Sequence, residues 1–241
     1  MLLTDTHTHL YLKEFDSDRK QVIADAVKSG ITKLFLPNID SDSIPSLFQL
    51  CNAFPENCFP MMGLHPCSVN TTYQQELLVI EHWLKKKKFY AVGEIGIDLY
   101  WDKTYFPQQK DAFERQIVLA KKHQLPIVIH TRNSFSETYN IVQAQNTKTL
   151  KGIFHCFSGT IDDANQIISL GGFKMGIGGV LTFKNSGLDK VIKEIDMKHL
   201  LLETDSPYLA PVPYRGKRSE SSYLMIIAKK LADIKNISLE E

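Results

Sequence analysis

The fold is decided by residues 90–130, YAVGEIGIDLYWDKTYFPQQKDAFERQIVLAKKHQLPIVIH. The two ends of this stretch, Tyr90–Asp98 and Pro126–His130, are short runs that are apolar on both faces, as buried parallel strands are. Between them, Gln108–His123 carries apolar residues at helical spacing along one face. A strand, a helix and a second strand in this order predict one unit of a parallel α/β sheet.

The same alternation recurs along the whole chain. Six further apolar runs have the character of strands: Leu2–His9, Ile31–Asn38, Cys58–His65, Gly152–Phe157, Gly172–Gly178 and Leu200–Asp205. The clearest other helical stretches are Ser17–Ser29, Gln74–Lys88, Asp162–Leu170 and the tail Ser221–Ile234. Eight such units in 241 residues predict a single-domain α/β fold over residues 1–241, a closed (β/α)8 TIM barrel. The alternative is an open doubly wound sheet, but the first strand lacks the glycine-rich phosphate loop of that fold.

Composition and charge narrow the classes of function. Lys and Arg number 28 against 27 Asp and Glu, so the net charge of +1 argues against a polybasic nucleic-acid binder and leaves room for a local basic patch. No uncharged apolar stretch reaches the roughly 18–20 residues of a membrane-spanning helix, so we expect no membrane partner. The N-terminus lacks the basic region of a secretory signal, and the four cysteines form no CxxC pair. We therefore expect a cytoplasmic protein with reduced thiols.

Side chains that can bind metals collect at the C-terminal ends of the predicted strands. They are His7, His9, His65, Glu94, His130, His155 and Asp205. In a barrel this end of the strands holds the active site. Taken singly, each has an ordinary explanation as a polar strand end, a buried ion pair or a hydrogen-bonded core histidine. Taken together, six of them form the mixed nitrogen and oxygen set that Zn, Mn, Fe or Mg sites use: His7, His9, His130, His155, Glu94 and Asp205. Six ligands suit two ions that share a carboxylate.

Seven motifs, spread in order over most of the chain, resemble the TatD family of metal-dependent deoxyribonucleases, which have amidohydrolase-type barrels. They are DTHTHL (5–10), GLHP (63–66), VGEIGID (92–98), QxxAFERQIxLA (109–120), LPIVIHTR (125–132), HCFSG (155–159) and LLLETDSPYLAPVPYRGKR (200–218). The resemblance implies two divalent metal ions, with Zn, Mg or Mn as candidates. It assigns the first ion to His7, His9 and Asp205, the second to His130 and His155, and the bridge between them to Glu94. Phosphotriesterase-like relatives offer a carboxylated lysine as the bridge, and Glu94 favours the TatD family.

The candidate catalytic residues are Asp205, Glu94 and Glu203. We expect a water activated by the two metals to attack the phosphodiester, with Asp205 as the proton acceptor. Glu203, on the same predicted strand face as Asp205, is expected to position substrate or to orient a ligand. Asp98 is open to two interpretations, support of a metal ligand or the cap of a turn.

The expected substrate is DNA, single-stranded or with frayed ends. His65, Arg132 and Arg215 are the candidate substrate-binding residues, because they fall in rim loops and guanidinium groups suit phosphate. The aromatic loop 99–106 either stacks nucleobases or packs as a lid on the following helix. We expect a monomer.

Two other functions remain open at the level of sequence. The same site could cleave another ester or an amide, for example an aminoacyl ester on tRNA, or the barrel could be a metal-binding scaffold without activity. Two departures from the family pattern also stand out. Ser219 and Ser221 occur where the family has Asn and Pro, and Ser238–Glu241 begins a capping box where the family continues with a further helix.

Overall fold

The structure is a computed structural model, and it describes residues 2–240. Within this range eight strands alternate with eight α-helices. The strands are β1 Leu3–Asp5, β2 Ile31–Pro37, β3 Cys58–Met61, β4 Val92–Asp98, β5 Ile127–Arg132, β6 Gly152–Phe154, β7 Phe173–Ile177 and β8 Leu200–Leu202. The helices are α1 Arg19–Lys28, α2 Ile44–Ala53, α3 Tyr73–Lys86, α4 Phe106–His123, α5 Phe135–Gln145, α6 Ile161–Ser169, α7 Leu188–Glu194 and α8 Leu224–Lys235. Short 3-10 helices occupy Lys13–Phe15, Pro66–Ser68, Gly179–Thr182, Met197–His199 and Ser221–Tyr223.

The strands pair in chain order and close into a ring. β1, β2 and β3 form one parallel run, and β4 to β8 form the other. Single parallel bridges join both gaps, because Met62 pairs with Val92 and Thr8 pairs with Ser206. Backbone hydrogen bonds flank both bridges. The predicted (β/α)8 barrel is confirmed, and the open doubly wound sheet is excluded.

Several strands are shorter than the apolar runs that predicted them. β1 ends before His7, β3 ends before His65, β6 ends before His155 and β8 ends before Asp205, so these side chains follow the strands. The backbone leaves the extended conformation at two of these points, where Cys156 and Asp205 have φ values of 49° and 57°. Pairing cannot continue through residues in the left-handed region, which explains the early ends of β6 and β8.

The five helices delineated from the sequence are present, with ends within a few residues of those predicted. The predicted start of the last helix is corrected, since Ser221–Tyr223 forms a 3-10 turn and α8 begins at Leu224. The structure adds α2, α5 and α7, which complete the alternation. No described helix has both the length and the apolar character required to cross a bilayer.

A continuous apolar core lies between the strands and the helices, with Phe15, Phe113 and Phe154 among its fully buried side chains. The buried polar side chains have a different distribution. Those able to bind metals, His7, His9, Glu94, His155 and Glu203, lie at the C-terminal mouth of the barrel. Burying ionisable groups is costly unless they are paired or bind ions, so this mouth is the candidate functional site.

Candidate metal centre

Glu94 lies within β4, a strand whose residues are all buried. Small residues on either side of it allow β4 and β5 to approach closely. A Cβ at Gly93 would lie 2.6 Å from Val128 Cβ, and one at Gly96 would overlap the backbone carbonyl of His130. Gly96 also has a φ of 144°, which favours glycine. The glycines of the VGEIGID motif therefore bring Glu94 beside His130.

The two oxygens of the Glu94 carboxylate face different imidazoles. Oε2 lies 3.1 Å from His7 Nε2 and 3.5 Å from His9 Nε2. Oε1 lies 2.8 Å from His130 Nδ1 and 2.9 Å from His155 Nε2. One buried carboxylate thus lies between two pairs of histidines, which is the division that the family resemblance implies.

Asp205 completes the first set. Its Oδ1 lies 3.7 Å from His7 Nε2 and 3.5 Å from His9 Nε2. The Asp205 amide donates to the His7 carbonyl at 2.9 Å, which holds the segment after β8 against the segment after β1. The Asp205 side chain is 13% exposed, against 3% or less for Glu94, His7 and His9. It therefore lies on the open side of the centre.

His65 was predicted to lie in a rim loop, but the structure places its imidazole inside the cluster. Its Nε2 is 3.3 Å from Glu94 Oε1 and 3.3 Å from His130 Nδ1. Its Nδ1 accepts a hydrogen bond from the Cys67 amide at 3.1 Å. A neutral imidazole whose Nδ1 accepts must carry its proton on Nε2. In this arrangement His65 is a hydrogen-bond donor toward the centre.

Asp98 makes the contacts that both interpretations of it require. Its Oδ2 accepts from His130 Nε2 at 2.9 Å, which leaves the His130 Nδ1 lone pair facing Glu94. Its Oδ1 accepts from the Tyr100 and Trp101 amides at 2.9 and 3.2 Å. Burial favours neutral Asp98, but the hydrogen bonds from His130 and these amides outweigh it and hold the pKa of Asp98 well below its usual range.

Strand alternation had predicted that Glu203 and Asp205 share one face. β8 ends at Leu202 and Asp205 has a left-handed φ of 57°, so strand alternation does not apply to these two residues. Glu203 is fully buried, accepts the Cys156 amide and has Oε1 3.4 Å from His155 Nδ1. It is therefore placed to orient His155, and it does not face the open side where substrate would enter.

Asp5, at the end of β1, is fully buried beside the centre. It accepts from Thr204 Oγ1 at 2.6 Å, from the Thr204 amide at 3.0 Å and from the His7 amide at 3.3 Å. Burial raises the pKa of Asp5 to about 7, against the opposing effect of hydrogen bonds that include one from Ser221. Ser221, which stands where the family has proline, also donates to Thr8 Oγ1 at 3.2 Å and so supports the segment that carries His7 and His9.

The separations between these atoms fit metal binding. In a tetrahedral Zn site with bonds of about 2.0–2.1 Å, neighbouring ligand atoms are about 3.3 Å apart. The Nε2 atoms of His7 and His9 are 3.2 Å apart, and Glu94 Oε2 is at 3.1 and 3.5 Å from them. Burial opposes ionisation of Glu94, but the neighbouring His155, His65 and His7 hold its pKa well below the usual range. An ionised carboxylate among imidazole nitrogens is a suitable donor set for a divalent ion.

The two candidate arginines lie at the exposed rim, in contact with aromatic rings. The Arg132 guanidinium is 3.9 Å from the Tyr100 ring centroid, and the Arg215 guanidinium is 4.4 Å from that of Phe183. Tyr100 and Trp101 are 51% and 69% exposed, so the tip of the aromatic loop is not a buried lid. The loop's later residues Tyr105 and Phe106 do pack against the core.

Sequence reasoning brought His65 to the same end of the barrel but assigned it to substrate binding. It did not choose between the two functions of Asp98 and did not pair Glu203 with the Cys156 amide. For Asp98 the position in the strand was a usable signal. It lies two residues after Gly96, which pairs with His130 on the neighbouring strand, so Asp98 is within reach of that histidine. Glu203 offered no comparable signal, because its partners depend on where β6 and β8 end.

Comparisons with known proteins agree with this geometry. A family model described as TatD related DNase matches residues 4–241. The metal-dependent hydrolase YabD of Bacillus subtilis is 34% identical over 241 residues, covering 100% of this chain and 94% of the relative. The metal-dependent hydrolase YcfH of Escherichia coli K12 is 28% identical, covering 100% and 91%. The crystal structure of the TatD homologue YjjV from Escherichia coli K12 has a TM-score of 0.92 at 26% identity, covering 99% of this chain and 92% of that chain.

Proposed function

This chain belongs to the TatD related DNase family and is a metal-dependent hydrolase, and we propose that it hydrolyses phosphodiester bonds in DNA. The observation that carries the proposal is the division of the Glu94 carboxylate between two sets of imidazoles. Divalent ions held by these residues would supply a lower pKa for bound water and charge stabilisation of the attacking and leaving oxygens of a phosphoryl displacement.

The donors divide into two sets around Glu94. His7, His9 and Asp205 would hold one ion, and His130 and His155 would hold the other. Zn suits the histidine nitrogens best, and the carboxylates also admit Mg or Mn.

The chain's own side chains have distinct tasks. Asp205, on the open side, would accept the proton of the attacking water at its carboxylate. His65 would donate from Nε2 to a phosphate oxygen, since its Nδ1 already accepts from the Cys67 amide. Asp98 and Glu203 would orient His130 and His155.

The test is cleavage of a labelled single-stranded DNA oligonucleotide by chelator-stripped protein, with Mg, Mn or Zn added back. Glu94→Gln should lower kcat/KM by at least about 100-fold, beyond the usual loss for an outer-shell change. The matched control is Glu81→Gln, because Glu81 is a surface carboxylate paired with Lys85 and Lys122. If folded, metal-loaded protein cleaves no DNA with any of these metals, the proposal is wrong.

A specific observation favours the second candidate, hydrolysis of an aminoacyl ester on tRNA. A groove of about 430 Å³ between Tyr11 and Tyr208 is lined by Glu14, Asp16, Asp40 and Asp42. Both tyrosine rings contact the His9 ring, so the groove adjoins the centre. Carboxylates beside the site would attract the ammonium of an aminoacyl group and repel phosphate. Parallel rates on DNA and on aminoacyl-tRNA, with Asp42→Asn affecting only the second, would identify this activity.

A further inference from the structure

The most exposed aromatic pair of the described chain lies at the barrel mouth, just after β4. Tyr100 is 51% exposed and Trp101 is 69% exposed, with ring centroids 4.8 Å apart and planes at 87°. Aromatic rings usually contribute to cores because of their large apolar area. An exposed apolar patch beside a candidate site therefore indicates a binding surface.

This pair is held in place by the same residue that supports the metal centre. Asp98 accepts the Tyr100 and Trp101 amides and also the Nε2 proton of His130. The Leu99 amide donates to the Arg132 carbonyl at 2.9 Å, which fixes the start of the loop on β5. The rings are thus preorganised, and binding would cost little ordering of the backbone.

The Arg132 guanidinium lies over both rings and is closer to that of Tyr100. It lies 3.9 Å from the Tyr100 centroid and 5.2 Å from the Trp101 centroid, so it covers a face of Tyr100. Trp101 is the more exposed of the two residues, and the cation lies farther from its ring, so more of its surface is open to a stacking partner. A cation beside an exposed indole matches the two parts of a nucleotide, because the base has a π-face and the phosphate is an anion.

Charge at the mouth limits the side on which a polyanion can lie. The groove beside β1 and β2 carries Glu14, Asp16, Asp40 and Asp42. Arg132 provides positive charge on the opposite side, at the end of β5. A nucleic-acid strand that enters the centre is therefore directed toward the β4–β5 side.

We propose that Trp101 stacks on an unpaired nucleobase of the strand whose backbone occupies the metal centre, while Arg132 contacts the adjoining phosphate. The proposal deepens the proposed function and rests on it, since it takes single-stranded DNA as the substrate class. It also predicts that paired bases are excluded, because a stacked base must leave its duplex.

The first experiment reads Trp101 directly. The chain has two tryptophans, so a Trp83→Phe background leaves Trp101 as the reporter. Metal-loaded protein is mixed by stopped flow with a thymidine oligonucleotide or with an abasic oligonucleotide of the same length. We expect the thymidine strand to quench Trp101 fluorescence before turnover and the abasic strand to leave it unchanged.

The second experiment measures affinity by anisotropy of the labelled strands, in an otherwise unchanged chain. Trp101→Ala should weaken binding of the thymidine strand by about 5- to 150-fold, which corresponds to the loss of one stacked base, and should not alter binding of the abasic strand. Leu78→Ala is the control, because Leu78 is 67% exposed on α3. Arg132→Gln should reduce the slope of log K against log salt by about 0.7, whereas Arg115→Gln on α4 should not.

The outcomes separate this proposal from the nuclease assignment. Equal affinity of the unmodified protein for thymidine and abasic strands, or an unchanged preference in Trp101→Ala, would overturn the nucleobase site. DNA cleavage without base dependence would overturn it alone. Base-dependent quenching without cleavage of any DNA would support the nucleobase site and refute the nuclease assignment.

Discussion

Replacing Asp98 by asparagine tests how the chain prepares His130 for metal binding. In the structure, three donors converge on the Asp98 carboxylate: His130 Nε2 and the amides of Tyr100 and Trp101. Asparagine offers one accepting oxygen and one NH2 group that can only donate. Either His130 or the two amides must therefore face a donor. If His130 does, its proton moves to Nδ1, the atom that faces Glu94.

The size of the effect follows from these contacts. A hydrogen bond to a charged group contributes about 1.5–3 kcal/mol, or about 10- to 150-fold in a binding constant. Losing the outer partner of a metal-binding histidine typically costs about 10- to 100-fold in affinity or activity. We therefore expect the affinity of the metal site that includes His130 to fall by about 10- to 100-fold in Asp98→Asn.

The assay is competition for Zn against a chromophoric chelator, together with ¹⁵N shifts of the His130 ring in the Zn-loaded protein. Asp102→Asn is the matched control, since Asp102 lies in the same loop, is exposed and caps only Thr104. It removes the same charge without contact to His130. An Asp98→Asn protein that binds both equivalents of Zn as tightly as the control would refute the reasoning.

Three further predictions concern packing, metal loading and pH. Gly176→Ala should lower activity at least about 10-fold, because the new Cβ would overlap the carboxylate of Glu203, which we propose orients His155. Gly178→Ala is the control and should keep its activity, because its Cβ would meet nothing closer than 3.6 Å. A metal ion present at 1,000 times its Kd stabilises the folded state by about 4 kcal/mol, so its removal by a chelator should lower Tm by about 8–16 °C. An unchanged melting curve would exclude a metal bound to the folded state. The Arg218 guanidinium holds the pKa of Asp18 below its usual range, so the stability of this pair is present above pH about 4 and is lost on acidification. Arg218→Met should flatten the decline of Tm between about pH 5 and 3, and an identical decline in both proteins would contradict this.

Much of the fold could be predicted from sequence because it depends on local periodicity. The stretch 90–130 carries strand, helix and strand patterns that are independent of the rest of the chain. Repeated eight times, such patterns leave few ways to bury every apolar face, and the barrel is the one observed. Strand ends were less predictable, since apolar character continues through residues such as Phe157 after the ladder has stopped.

Most of the residues that form the candidate site could also be predicted from the sequence. Parallel strands in a barrel present their C-terminal ends at one mouth, so histidines that follow different strands must converge there. His7, His9, His130 and His155 do converge, with Glu94 between them. This inference needs only the direction of each strand and the position of each residue along it.

The sequence by itself therefore determined the alternation of strands and helices and the set of ionisable residues at the mouth. Only the tertiary structure decided which Glu94 oxygen faces which imidazole, that His65 lies within the cluster, and that Glu203 contacts the Cys156 amide and His155. The physical reason is the distance along the chain over which each kind of interaction acts. Periodicity is a property of neighbouring residues, whereas tautomers and carboxylate orientations depend on contacts between segments far apart in the chain. Those contacts exist only when the ring of strands has closed.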